Sequence, residues 1–402
     1  MIAKMNLMKS YNPRYLFKNG FYIRFLEISR IFGCFISPLD IIYAKAQVGI
    51  LEKSDHVSSL LKKRYLFHKP TFLQIHRIAR FYPQECLNYW LETEYYSPII
   101  LEICRKYDIN ISDEIKAKCL KSKIKDIIIL QNGWNGINAY LASYGLEAVV
   151  SKGIWSFLSN VQYDKCRTSN KVTILMTCFN SSTTIETAIT SVMAQTHQNI
   201  QLLVIDDASV DDTYAKLEVL KKRFSHRNFS IFRNNNNLGT YASKEKLLQK
   251  ADPDSEFITC MDSDDWSHPE KIERQVRHLI DFPNLVANMS YWVRFDELGN
   301  PYSQRIFPFL SLNPSSLMIR IKDIATLDRI WDTTTRYGAD QELILRLQNK
   351  FGSKRIGYLK LPLSFARYRE GSLTTLSHIG CKTNRGRLLR ARYINNKFFK
   401  NS

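Results

Sequence analysis

The sequence predicts an α/β protein: a mainly helical N-terminal region followed by a doubly wound, Rossmann-like, mostly parallel sheet. Three observations lead there. From Val172 onward short apolar strands alternate with helical segments, the pattern of a parallel sheet covered by helices on both faces. Before that point, apolar residues recur at three- and four-residue spacing, which marks amphipathic helices. Finally, polar residues gather where three of the predicted strands end, the edge at which open α/β sheets bind ligands.

Taken in order, the helical region runs from residue 1 to about 165, with its clearest periodicity at 71–80, 83–94 and 136–146. His68, His76, Trp90 and Trp134 stand singly there and read as packing or surface residues rather than ligands. A polar stretch, Asp164-Lys165-Cys166-Arg167-Thr168-Ser169-Asn170, separates this region from the next. Strands are then expected at 172–178, 202–205, 230–233 and 257–261, and helices at 184–195, 213–224, 241–249 and 269–279. Ser267 and Glu270, three residues apart, read as a capping box opening the last of these helices. The organisation is therefore a helical domain at 1–165, an α/β domain at 171–380 and a tail at 381–402.

The 402 residues carry a net charge of +19, of which +9 falls on residues 1–165. Only the tail is concentrated, with seven Lys or Arg and no acid among Leu388, Leu389, Tyr393, Ile394, Phe398 and Phe399. Such a segment suits anionic lipid or packing on its own domain equally. Eight cysteines lie scattered without a Cys-x-x-Cys pair, which argues against structural zinc and a disulfide framework and favours a reducing, cytoplasmic setting. Arg24, Glu27, Arg30 and Asp40 interrupt the most apolar N-terminal stretch, and no small-residue cleavage site follows it. Neither a membrane span nor a signal peptide is expected.

The chemistry centres on Asp262-Ser263-Asp264-Asp265-Trp266, where an apolar strand breaks into three carboxylates. Carboxylates this close repel one another, and a divalent cation offsets the cost. In isolation Asp-x-Asp is a solvated turn; here two more strand ends accompany it, Thr177 with Asn180 and Asp206-Asp207-Ala208-Ser209. A carboxylate on that edge can accept hydrogen bonds from a base N–H or a ribose hydroxyl while a metal takes the phosphates. The simpler alternative is a turn in which Ser209 and Asp211 cap the helix near Thr213. Neither Gly-x-Gly-x-x-Gly nor Gly-x-x-x-x-Gly-Lys-Ser/Thr follows a strand, which weighs against dehydrogenases and P-loop enzymes.

These motifs together resemble the family 2 glycosyltransferases of GT-A fold. Thr177-Cys178-Phe179-Asn180 is similar to that family's first-strand ending and Ser191-Val192-Met193-Ala194-Gln195-Thr196 to its first helix. Ile205 to Thr213 resembles its second-strand signature, and Asp262-Ser263-Asp264-Asp265-Trp266 its metal motif. The resemblance covers 171–375. It implies transfer of a sugar, with inversion, from a nucleotide diphosphate-sugar (a UDP-sugar first) aided by Mn²⁺ or Mg²⁺. It further implies that Asp206 and Asp207 contact base and ribose, that Asp262 contacts ribose or metal, that Asp264 holds the metal, and that Asp265 belongs to the donor site. Lys244 stands where the family places an Arg near the donor, with Glu245 in place of an Asn. Asp340, in Tyr337-Gly338-Ala339-Asp340-Gln341-Glu342, is similar to the acceptor-side acid and is the expected catalytic base. Arg367 and Arg369 resemble cations that neutralise the leaving diphosphate.

The function expected is a cytoplasmic transferase, peripheral at the inner face of the membrane, acting on a surface-polysaccharide or lipid-linked glycan acceptor. Two rivals use the same residues. One is a sugar-phosphate transferase; the other is a non-catalytic basic binding protein, against which the acidic edge counts because it repels nucleic-acid phosphate.

Overall fold

The strands of the second half are apolar on both faces, and that dictates where the helices go. In the computed structural model, β1 (Val172–Cys178) sends Val172, Ile174 and Met176 to one face and Leu175 to the other. The same alternation holds in β2 (Ile200–Asp206), where Leu202 and Val204 oppose Leu203 and Ile205. Helices must cover both faces. The residues described are 22–23, 26, 38–48, 50–62, 75, 77–121, 124–149, 169–303, 308–325, 327–368 and 384–399.

Residue contacts divide the chain into two units: Met1–Ile127 with Ser303–Pro308 and Arg369–Ser402, and Ile128–Tyr302 with Phe309–Tyr368. The first contains α1 (Pro38–Gln47), α2 (Ser54–Lys62), α3 (Pro83–Glu92), α4 (Pro98–Tyr107) and α5 (Asp113–Leu120). Local chemistry explains the helix starts: the Ser97 hydroxyl accepts from the Ile99 N–H ahead of Pro98, and the Ser112 hydroxyl from the Ile115 N–H. The basic tail forms a helix, Asn384–Phe399, that packs on α1 and buries Ile394, while Arg392 and Lys397 stay exposed.

The second unit begins with α6 (Ile127–Asn132) and α7 (Ile137–Ala142). The polar stretch at 164–170 is the boundary suggested by sequence, but the contacts divide earlier. Trp134 meets the rings of Phe295 and Phe365 edge-on, at 4.3 and 6.2 Å. The Glu147 N–H donates to Glu270 Oε1 at 2.9 Å, so this segment packs with the sheet.

After β1 come α8 (Ile185–Met193), β2, α9 (Thr213–Arg223), β3 (Phe229–Arg233), α10 (Thr240–Leu248), β4 (Phe257–Asp262), β5 (Trp266–Ser267) and α11 (Lys271–Asp281). Then follow β6 (Ala287–Phe295), β7 (Pro301–Tyr302), β8 (Ser311–Leu312), β9 (Met318–Arg320), α12 (Ile321–Ile324), α13 (Ala339–Phe351) and β10 (Ile356–Arg367). The sheet order is β3-β2-β1-β4-β9-β6-β10-β5, with β7 and β8 on β6. The half that carries the polar ends is parallel, while β9 is antiparallel to both β4 and β6. Helices α8, α9 and α11 cover one face; α10 and α13 cover the other.

One expected element is corrected. Ser267 is not a helix cap: Trp266 and Ser267 pair antiparallel with β10, and α11 starts at Lys271 behind Glu270, which makes no side-chain cap bond. The Ser267 N–H is taken by the Ser191 hydroxyl at 3.1 Å, and Trp266 stacks on Phe365 at 5.1 Å. Ring packing outweighed the local cap signal.

Candidate active site

The parallel register brings the polar strand ends to one level. Thr177 is opposite Asp262 and Cys178 opposite Asp206, so β1, β2 and β4 end together. What each side chain does at that edge differs from residue to residue.

Asp206 is fully buried and pairs with Arg233 Nε at 3.1 Å while accepting the Ser209 N–H at 3.2 Å. Arg233 closes β3 and lies over the Tyr214 ring at 4.7 Å. Asp207 faces inward. Its Oδ1 accepts from Asn234 Nδ2 (2.8 Å), the Leu238 N–H (2.9 Å) and the Ser243 hydroxyl (3.0 Å), and its Oδ2 from the Gly239 N–H (2.8 Å). With four protein donors on a side chain 3% exposed, Asp207 shapes the 234–239 loop rather than presenting a carboxylate at the surface.

Asn180 adopts a left-handed conformation, φ 48°. Its N–H donates to the Ser209 hydroxyl and its Oδ1 accepts the Val210 N–H, at 2.9 and 3.0 Å. It therefore staples the loop after β1 to the loop after β2. Ser209 is used in that staple and not as a cap, whereas Asp211 accepts the Thr213 N–H at 3.0 Å as the turn reading expects. The Thr177 hydroxyl is 2.7 Å from that of Thr240 and ties β1 to the start of α10.

At the end of β4, Asp262 Oδ2 accepts from the Ser315 hydroxyl at 2.6 Å, and Asp264 lies half-buried in the turn that follows. Asp265 is buried and accepts the Arg367 N–H at 3.1 Å. Burial, then the charges of Asp264 and Asp262, hold its carboxyl well above the usual carboxylate range, against the opposing influence of Arg294. Among the described residues no group of three or more His, Cys, Asp or Glu side chains forms a closed metal cage. The carboxylates of Asp262 and Asp264 are hard oxygen donors, the ligand type that Mg²⁺ and Mn²⁺ take.

Asp340 lies in the first turn of α13, behind Gly338 in a left-handed conformation, φ 79°. It makes no cap bond. Its Oδ2 accepts from the Tyr241 hydroxyl at 3.2 Å and its Oδ1 from Lys244 Nζ at 3.4 Å. With Cys260, Ser315, Trp331 and Leu343 it lines a small void of about 10 Å³.

Two further expectations change. Lys244 is 2% exposed and its ammonium meets Asp340, so it offers no charge to a donor on the surface. Burial alone would lower it, but Asp340, Cys260, Asp262 and Tyr241 together hold it above the ordinary lysine value. Arg367 is no exposed cation either: its side chain is 9% exposed and directed to Glu297 at 3.5 Å. Arg369 lies outside the described residues.

The sequence reading missed Arg233, Tyr241 and Ser315. Arg233 had a signal, being the polar end of an apolar strand, and Tyr241 shares a helix face with Lys244 by its three-residue spacing. Ser315 had none, since only folding brings it to Asp262. Glu245 Oε1 accepts the N–H groups of Ile330 and Trp331, at 2.9 and 2.5 Å, which gives the departure from Asn a structural use.

Residues 173–343 match the model of Glycosyl transferase family 2. The chain carries a family 2 glycosyltransferase domain. This glycosyltransferase domain is 30% identical over 129 residues to the putative glycosyltransferase EpsE of Bacillus subtilis, covering 32% of this chain and 45% of EpsE. It is 32% identical over 134 residues to the putative glycosyltransferase EpsH of the same organism, covering 32% and 36%. The matches thus span less than half the length of either relative. A solved structure with a similar chain course is the mannosyltransferase PcManGT from Pyrobaculum calidifontis in complex with GDP-Man and Mn²⁺, at 12% identity and a TM-score of 0.42, covering 62% of this chain and 70% of that one. No helix among the described residues is long and apolar enough to cross a membrane.

Proposed function

We propose that this glycosyltransferase moves a sugar from a nucleotide diphosphate-sugar, a UDP-sugar first, to the hydroxyl of a glycan or lipid-linked acceptor, with inversion and with a divalent metal. The observation that carries the reading is the level at which β1, β2 and β4 end, with Asp262 and Asp264 after β4 and Asp340 sharing a small void with Cys260 and with Ser315, the donor to Asp262. Asp262 and Asp264 would hold Mn²⁺ or Mg²⁺, which when bound neutralises charge on the leaving diphosphate. The staple of Asn180 and the pairing of buried Asp206 with exposed Arg233 set the walls of the nucleotide edge. Asp340 accepts the proton of the acceptor hydroxyl as that oxygen bonds to the anomeric carbon; the bond from that carbon to the diphosphate breaks, and its electron pair leaves with the nucleotide. A positioned carboxylate base contributes about 10²- to 10⁴-fold of rate. A lipid-linked acceptor would place the enzyme at the cytoplasmic face of the membrane.

The test is a panel of UDP-, GDP-, CMP- and TDP-sugars with Mn²⁺, scored as nucleotide released, for the parent and for Asp264→Asn and Asp340→Asn. One donor class should turn over, the first variant should lose metal-dependent turnover, and the second should keep donor binding while transferring at least about 10²-fold more slowly. Wild-type rates in both variants, or full activity in excess EDTA, refute the reading.

A further inference from the structure

We infer that Tyr241 and Lys244 are positioning residues for Asp340, an inference that rests on the reading of Asp340 as the base. The two donors project from one turn of α10, and each takes a different oxygen of the same carboxylate, at 3.2 and 3.4 Å. A carboxylate gripped at both oxygens from one rigid helix loses rotational freedom about its terminal torsion, which is the freedom a proton acceptor must give up to meet a hydroxyl.

The helix that supplies this grip is itself held before its start and within its length. Asp207 holds the Leu238 and Gly239 N–H groups immediately before α10, and Gly239 has φ 87° with the Arg336 side chain 3.5 Å from where a Cβ would stand. Within the helix, Glu245 holds the Ile330 and Trp331 N–H groups, and the Trp331 ring lies 5.6 Å from Lys244 Nζ, with Tyr241 at the same distance. A lysine this deeply buried is costly unless paired. Among the described residues its one ion pair is the one to Asp340, so the cation is retained where a single carboxylate benefits from it. The other charged or titratable groups facing it are Cys260 and Asp262 on β4. Thus the second acid of Asp206-Asp207 acts on the acceptor side of the site, through α10, without touching a ligand.

The experiment separates this role from a donor contact. Lys244→Met, Lys244→Arg and Tyr241→Phe are assayed with Mn²⁺ and whichever of UDP-glucose, UDP-galactose, UDP-GlcNAc and UDP-GalNAc the parent turns over fastest. Lys244→Met should lower kcat by about 10- to 10²-fold, the scale of a misplaced catalytic group, with the donor KM within about threefold. Lys244→Arg should recover most of the loss, and Tyr241→Phe, which removes one hydroxyl and tests the grip even if Lys244→Met does not fold, should lower kcat at unchanged KM. A raised donor KM with kcat intact, or unchanged kcat in both Lys244→Met and Tyr241→Phe, overturns the inference. Asp340→Asn run alongside distinguishes the two failures: wild-type transfer in that variant removes the base itself, whereas slow transfer there with normal Lys244→Met and Tyr241→Phe removes only the positioning role.

Discussion

Replacing Asp207 by Asn tests whether this acid builds the site or touches the nucleotide. The side chain is 3% exposed and accepts four hydrogen bonds. An amide keeps one acceptor oxygen but directs an NH₂ group at either the Gly239 N–H or the three donors now on Oδ1, so at least one buried donor loses its partner. That loss costs about 1–3 kcal/mol. The remaining bonds go from charge-assisted to neutral, roughly halving their strength, which adds about 1–2 kcal/mol. A total near 3 kcal/mol, at about 2–4 °C per kcal/mol for a unit of this size, lowers the melting temperature by roughly 6–12 °C. Thermal unfolding followed by circular dichroism measures this, and limited proteolysis should show new cleavage at 234–239. A melting temperature within about 2 °C of wild type, with UDP binding lost, would refute the structural role and return Asp207 to the nucleotide.

Two further outcomes concern buried cations and imidazoles. Lys271 is fully buried, with Ser267 Oγ at 3.3 Å and Met261 Sδ at 4.0 Å, and burial pushes its ammonium down to about 8 against the pull of Asp265, Asp262 and Cys260. Because the unfolded chain binds that proton more tightly, wild-type stability should rise with pH from about 8 to the ordinary lysine value of 10.5. Lys271→Met should flatten this rise and raise the melting temperature at pH 7, by an amount on the order of 3 kcal/mol at most; a destabilised Lys271→Met enzyme at pH 7 contradicts the argument. His197 and His268 are both held below the ordinary imidazole value of 6.5, first by burial. His268 Nε2 lies 3.1 Å from the Glu147 carbonyl, and its Nδ1 accepts the Glu270 N–H at 3.2 Å, a pairing that needs the neutral ring. Below pH 6.5 the unfolded chain takes up protons that the folded one refuses, so these two groups make stability fall with acidification. Thermal melts from pH 7.5 to 5.0 should show a shallower fall in His268→Gln, and an unchanged slope would rule His268 out.

The resemblance to family 2 rested on short motifs whose residues lie close together in the chain. That is why the alternating strands and helices from Val172, the α/β class and the three polar strand ends were legible before folding. A strand buried on both faces writes its period directly into its composition, and a carboxylate cluster after such a strand stands out by its cost.

Other assignments needed distances that no local pattern contains. Asp206 and Asp207 are adjacent, chemically identical and both buried, yet one pairs with Arg233 and the other takes four donors, because successive side chains at a strand end point to opposite sides. Lys244 reads as a donor-site cation until α13 packs across α10 and brings Asp340 within 3.4 Å. Trp134, outside every motif, joins the sheet unit because two rings on β6 and β10 leave an aromatic slot at its position. By itself the sequence determined the fold class and which strand ends carry the chemistry, since both follow from periodicity and charge read along the chain. Which acid pairs with Arg233, which one holds a loop and which cation meets Asp340 were decided only by the tertiary structure, because hydrogen-bond and ion partners are set by distance in space and by the water that packing removes.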